Sequence, residues 1–206
     1  MSSVFAGLDW ASRLHAVCVI DERGAVCKQW EVTHDRDGLR GLLRQLRALH
    51  VLRIAIERPS GLLVDALVEA GFEVVPIHPN AVKASRPRYR SHGGKSDASD
   101  AYLLAEQTLL AQHCAQSDIV ITTALIPGKP APQLITSGAV VGMGRGSVII
   151  DLASEQGGNC ALTERDKVVE KFGVTIVGLT DLPSRMAVQA SELYAVNLLH
   201  LVRDII

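Results

Sequence analysis

Four acidic side chains, Asp9, Glu57, Asp97 and Asp100, have the types and spacing that chemistry at phosphorus requires. Asp97 and Asp100 stand three positions apart in "KSDASDAYLLAE", just inside a helical pattern, so both carboxylates share a helix face. Like charges placed there repel, and something else must justify them. Asp9 ends the apolar run "VFAGLD" and Glu57 ends "RIAIE", so each sits at the tip of an expected strand. If those strands pair, the two acids lie side by side, and the helix supplies the other two. Oxygen-only ligands suit Mg²⁺ or Mn²⁺, and a pair of such ions activates one oxygen while stabilising another at phosphorus. Singly, each acid also has a structural reading. Asp9 starts a turn, Glu57 pairs with Arg58, and Asp97 caps the helix with Asp100 in its first turn.

The stretch before the aspartates is basic. Between Glu73 and Asp97 there is no acid, while Lys83, Arg86, Arg88, Arg90 and Lys95 fall in one short window with Pro87 and Tyr89 between the arginines. Such a window fits a phosphate backbone, and a solvated loop is the alternative.

The elements that must position these residues can be read in order. "VFAGLDWA" is a strand, and "LHAVCVIDERGAVCKQWEVTH" is two strands joined at Asp21 to Gly24. "RDGLRGLLRQLRALH" carries leucines at 39, 42, 43 and 46, the spacing of an amphipathic helix. Then come the strand "RIAIE", the helix "GLLVDALVEAG" closed by Gly71, the strand "FEVVPIHP" and the helix bearing the aspartates. A hairpin feeding βαβ units predicts a mixed sheet with helices on its faces. After Glu106 the style changes. "SDIVITTALIPGKPAPQLIT", "GSVIIDLASEQGGNC" and "VTIVGLTDLPS" each contain a strand, and "SRMAVQASELYAVNLLHLVRDII" is a long helix with apolar residues on one side. Repeated strand–helix units predict a parallel sheet there.

Composition sets outer bounds. A 206-residue chain with 48% hydrophobic and 21% charged residues can bury a substantial core. No apolar run reaches the roughly 18 residues of a bilayer span, so no membrane insertion is expected. "MSSVFAGLDWASR" lacks a charged segment before an apolar core, and a cytoplasmic chain without a secretory signal is the expectation. Cys18, Cys27, Cys114 and Cys160 show no zinc spacing and read as reduced, buried thiols.

"GLDWASRLHAVCVID", "AIERPSGLLVDALVEAG" and "VVPIHPNAVKASRPRYRSHGGKSDASDAYLLAE" resemble the N-terminal domain of DEDD transposases of insertion sequences, over residues 4 to about 106. That resemblance implies a ribonuclease-H/RuvC-like fold, divalent metal held by Asp9, Glu57, Asp97 and Asp100, and DNA as partner together with a guide RNA. The helix-hairpin-helix region and nucleophilic serine that follow in that family have no counterpart here. Complete recombination is therefore not expected.

"TTALIPGKPAP", "SVIIDLASEQGGN" and "GLTDLPSRMAVQASELYAVNLL" resemble the alpha subunit of proton-translocating NAD(P) transhydrogenase, over about 112 to 206. That resemblance implies the later strands of an NAD(H)-binding domain, with Leu125 as a nicotinamide-side contact. The glycine-rich turn that holds the pyrophosphate lies upstream in that family, where this chain carries transposase-like sequence. "GMGRGS" follows a helix and precedes a strand, the reverse of a dinucleotide turn, and "GGKS" has Tyr89 where a phosphate loop needs glycine. Without the helix N-terminus that stabilises pyrophosphate, NAD is not expected to bind usefully.

The fold class expected is α/β, a ribonuclease-H/RuvC-like mixed sheet in residues 1–106 followed by a partial Rossmann-like parallel fragment in 107–206. No Gly/Ser linker separates the halves, and one helix with Leu103, Leu104, Leu109 and Leu110 buried is expected to serve both. Three functions are compatible with this chimera. The first is a transposase-like, metal-dependent nucleic-acid domain carrying out phosphoryl transfer if active. The second is a nicotinamide-nucleotide binding or subunit-docking fragment, from which transhydrogenase activity is not expected alone. The third is a fusion product with no selected function. The uncovered edge of the second sheet is expected to favour a homo-oligomer.

Overall fold

The computed structural model describes residues 4–11, 13–51, 53–57, 61–85 and 96–205. Arg58, Arg86, Arg88, Arg90 and Lys95 lie outside them.

The first half builds on β1 (Phe5–Asp9), β2 (Leu14–Ile20), β3 (Val26–Thr33), β4 (Arg53–Ile56) and β5 (Glu73–Pro76). These form one sheet in the order β3-β2-β1-β4-β5. The β1–β2–β3 meander is antiparallel, while β1, β4 and β5 are parallel, as a hairpin followed by βαβ units requires. The hairpin turns at Asp21, whose Oδ1 accepts hydrogen bonds from the Arg23 and Ala25 amides at 2.9 Å each.

Residue alternation divides this sheet into two faces. Ala6, Leu8, Val17, Val19, Ile54 and Ile56 pack with α1 (Arg36–Ala48) and α2 (Leu62–Glu69) through Leu42, Leu46, Leu63 and Leu67. Asp35 caps α1 by accepting the Gly38 amide at 2.7 Å, which holds its carboxyl below the usual carboxylate range. A short helix, α3 (Pro79–Ser85), leads out of β5 and was not foreseen.

The other face is covered by α4 (Asp97–Ala115), which is buried nearly all round. Phe5, Ala16, Cys18 and Ile20 meet its Ala101, Ala105 and Leu109, while Ala55, Ile77 and Val82 meet Leu103 and Leu104. Further along, Ala111 and Cys114 belong to the core of the second sheet. The single helix expected to serve both halves is therefore present, with Leu103, Leu104 and Leu109 buried and Leu110 half-buried.

The second sheet comprises β6 (Ile119–Thr122), β7 (Val148–Asp151), β8 (Val168–Lys171) and β9 (Val174–Val177), in the order β6-β7-β9-β8. Between them lie α5 (Ser137–Val141), and after them α6 (Leu182–Arg185) and α7 (Ala187–Ile205). The expectation of an all-parallel sheet is corrected. β6, β7 and β9 are parallel, but β8 pairs antiparallel with β9. The signal was "KFGV", because Phe172 and Gly173 both have positive φ (57° and 80°), the two-residue turn that matches strand twist. β6 forms an edge with Ile119 and Ile121 about three-fifths exposed.

One further expectation changes. Cys18, Cys114 and Cys160 are buried, and burial pushes the Cys18 thiol up to about 11, but Cys27 on β3 is exposed. Long helix α7 buries none of its residues, although one side is apolar as expected.

Candidate functional site

The register of β1 against β4 runs from Phe5↔Arg53 to Leu8↔Ile56, so Asp9 and Glu57 are the next positions on adjacent parallel strands. Two-residue alternation places both on the α4 face, because Gly7 and Ala55 already lie against that helix. Helix α4 runs antiparallel to these strands. Near its end, Gln112 Oε1 accepts a 3.5 Å hydrogen bond from Arg53 at the start of β4, whereas Ala101 sits over Gly7. Its first turn therefore reaches the strand tips where Asp9 and Glu57 stand.

Within that turn Ser96 is the N-cap, accepting the Ser99 amide at 3.2 Å, so Asp97 is not the cap but a first-turn residue beside Asp100. Both carboxylates complement the positive end of the helix. Ala98 turns toward β3, its carbonyl accepting a 2.7 Å hydrogen bond from Gln29 Nε2. Asp100 is 3% exposed and precedes Leu103 and Leu104 by one turn, on the side that meets β4, while Asp97 is exposed. The fold thus sets Asp9 and Glu57 just past the last paired positions of adjacent parallel strands, on the face covered by the helix whose first turn carries Asp97 and Asp100. The donor set is right in kind for a hard cation. Even so, no three His, Cys, Asp or Glu side chains among the described residues gather tightly enough to hold a metal ion. Of the basic window, Lys83 is exposed on α3, and Arg86, Arg88, Arg90 and Lys95 fall outside the described residues.

A neighbouring cluster escaped the sequence reading. On the opposite face of the same rim, Trp10, His15 and His34 stack with ring centroids 5.0–5.6 Å apart. The Ala11 amide donates to His15 Nδ1 at 3.3 Å, which leaves the His15 proton on Nε2, donated to His34 Nδ1 at 2.8 Å. The available signal was hairpin register. His15 pairs with Val32, which puts His34 two residues further along on the same face.

His15 is fully buried, and burial first, then the charge of a protonated His34, lower its pKa below 6.5. A base whose folded pKa is depressed binds fewer protons folded than unfolded. Its contribution to stability is complete above pH 6.5 and declines as pH falls below that value toward the folded pKa. Urea unfolding at pH 7.5, 6.0 and 5.0 should show that decline, at no more than ~1.4 kcal/mol per pH unit for this one group. His15→Gln should flatten it, and an unchanged slope would exclude His15 as its source.

In the second half, the buried carboxylate of Asp151, at the end of β7, accepts from the amides of Ala153 (3.0 Å), Asn159 (2.8 Å) and Cys160 (3.0 Å) and from Thr163 Oγ1 (2.6 Å). Asn159, fully buried, accepts from the Ala124 amide at 2.9 Å and donates to the carbonyls of Ala124 (2.9 Å) and Pro132 (2.8 Å). These bonds pin the loop after β6, and Leu125, next along it, is half-exposed.

Comparison with known proteins adds four findings. The family described as alanine dehydrogenase/PNT, C-terminal domain, matches residues 10–206. The NAD(P) transhydrogenase subunit alpha of Cereibacter sphaeroides is 64% identical over 91 residues, covering 44% of this chain and 17% of that protein. A mini-circle putative transposase for IS117 from Streptomyces coelicolor is 38% identical over 109 residues, covering 50% of this chain and 26% of that protein. Among solved structures, a transhydrogenase from Sinorhizobium meliloti is 34% identical, covering 80% of this chain and 41% of that one, with a TM-score of 0.43. The chain spans well under half the length of each of these relatives. No helix among the described residues is long and apolar enough to cross a membrane.

Proposed function

This chain belongs to the alanine dehydrogenase/PNT C-terminal domain family, and from that premise we propose that it joins a RuvC-like, nucleic-acid-directed front half to a partial Rossmann-like transhydrogenase fragment. The chemistry resides in the front half. The observation that supports this reading is the register that sets Asp9 and Glu57 next in line on adjacent parallel strands, on the face covered by the helix that begins with Asp97 and Asp100. Among the described residues these carboxylates do not gather into a cation site by themselves. A phosphodiester laid along the rim supplies the further oxygens that Mg²⁺ or Mn²⁺ needs, and Lys83 with the basic stretch up to Lys95 holds the backbone. DNA is the substrate class, with a structured RNA as its companion.

Calorimetric titration of Mn²⁺ into the full chain, with and without a single-stranded DNA oligonucleotide, tests this. Saturable uptake that strengthens with DNA is expected. The paired change Asp9→Ala and Glu57→Ala should weaken it at least about tenfold, as the loss of two ionised ligands implies. Unchanged affinity in that variant ends the proposal.

A second reading is favoured by the family match over residues 10–206 and the 64% identity to a transhydrogenase alpha subunit. In it the second sheet is a nicotinamide-nucleotide binding or docking module, with Leu125 facing the nicotinamide. Saturable quenching of NADH fluorescence at micromolar ligand, with no effect of DNA on metal uptake, would select this reading over the first.

A further inference from the structure

The second sheet has one edge that neither reading uses. The Val148 amide donates to the Asp118 carbonyl at 2.8 Å and the Leu152 amide to the Thr122 carbonyl at 2.9 Å, so alternate residues of β6 turn their backbone groups toward β7. The N–H and C=O of Ile119 and Ile121 therefore point the other way, where no strand pairs with β6 among the described residues. The other sheet edges are blunted. β3 carries Lys28 and Glu31, β5 carries Glu73 and Pro76, and β8 carries Glu170 and Lys171. Charge and proline keep an edge from accepting another strand, and the "IVIT" of β6 has neither. Beside this edge lies a groove of about 440 Å³, lined by Leu110 and Cys114 of α4, by Leu134 and by β6 itself. Val120 packs into the core that holds Cys114, which leaves Ile119 and Ile121 on the opposite face, 62% and 60% exposed.

We propose that β6 takes up an extended segment of another polypeptide as an added strand. Only an extended backbone offers donors and acceptors at the two-residue spacing, about 7 Å, that Ile119 and Ile121 set. Its side chains divide between two surroundings. One row lies on the open face beside Ile119 and Ile121 and is apolar. The other enters the groove over Leu110, Cys114 and Leu134 and is small. A second copy of this chain fits less well. Two β6 edges joined antiparallel are related by a two-fold perpendicular to the sheet, which brings the second copy's α4 to the same face as the groove.

The probe is a fluorescent peptide of alternating valine and serine between terminal lysines. Anisotropy titration with the full chain should show saturable binding. Bound peptide should slow hydrogen exchange at the Ile119 and Ile121 amides at least about tenfold and leave Val120 unchanged. Ile121→Lys, at an exposed position, should weaken binding at least about tenfold with circular dichroism unaltered. Successive amides of a strand point to opposite edges, so of two peptides, N-methylated at the valines or at the serines, one should lose binding and the other keep it. A peptide that does not bind, or two methylated forms that bind alike, overturns the proposal. Slow exchange at Ile119 and Ile121 without peptide does so too. If it strengthens with protein concentration a second copy holds the edge, and otherwise another part of this chain does.

Discussion

Gly7→Ala is expected to destabilise the chain by at least ~3 kcal/mol in urea unfolding, large for the addition of one methyl group. A Cβ at Gly7 overlaps the Ala101 carbonyl oxygen and the Ala105 amide nitrogen and comes within 2.8 Å of Leu104 Cβ. Two of those three atoms are helix backbone, which yields only if α4 as a whole moves off β1. Because the first turn of α4 carries Asp97 and Asp100, the same displacement draws them away from Asp9 and Glu57. Residual folded protein should therefore also lose Mn²⁺ uptake. Gly41→Ala is the control of opposite sign. Nothing lies within 4 Å of an added Cβ there, and alanine inside α1 should stabilise by roughly 0.5–1 kcal/mol. A Gly7→Ala protein as stable as the wild type would mean that α4 does not lie so close to β1.

The second large effect is expected at Asp151. Asp151→Ala leaves three backbone amides and a threonine hydroxyl without their shared acceptor in a site 1% exposed to solvent. Hydrogen bonds to a carboxylate are worth ~1.5–3 kcal/mol each and are not additive, so a total loss of about 4 kcal/mol is expected. The damage should spread. Once Asn159 is released, the Ala124 and Pro132 contacts loosen, and amide hydrogen exchange across residues 123–134 should accelerate while the first sheet keeps its protection. A variant that retains slow exchange in that loop would show that Asn159 is held by other means.

Much of the positioning was legible in the residues themselves. Apolar runs ending in an acid, "VFAGLD" and "RIAIE", located two strand tips, and the leucine spacing of residues 39–46 located α1. The side-by-side placement of Asp9 and Glu57 followed from pairing those strands, and the register agrees. Other features were hidden because they depend on tertiary geometry. How the four carboxylates stand relative to one another depends on the angle at which α4 crosses the sheet, which no spacing encodes. The β8–β9 hairpin was obscured because "KFGV" lacks the Asn-Gly or Asp-Gly of the commonest two-residue turns. The His15–His34 pair required strand register, since nineteen residues separate the two rings in sequence. For α7, periodicity correctly gave a long helix, but exposed apolar residues do not say whether their cover comes from the same chain.

The sharing of α4 by both sheets limits how the chain can be divided. Ala101, Ala105 and Leu109 fill the first core, and Ala111 and Cys114 fill the second, along one uninterrupted rod. Scission between Glu106 and Gln107, where the sequence changes character, would break that rod mid-span and strip Leu109 from the front piece. Moving the cut to the Ser117–Asp118 bond keeps the whole rod with the front sheet, and the rear core then loses Ala111 and Cys114. The change in sequence style and the mechanical seam of this molecule thus fall about eleven residues apart.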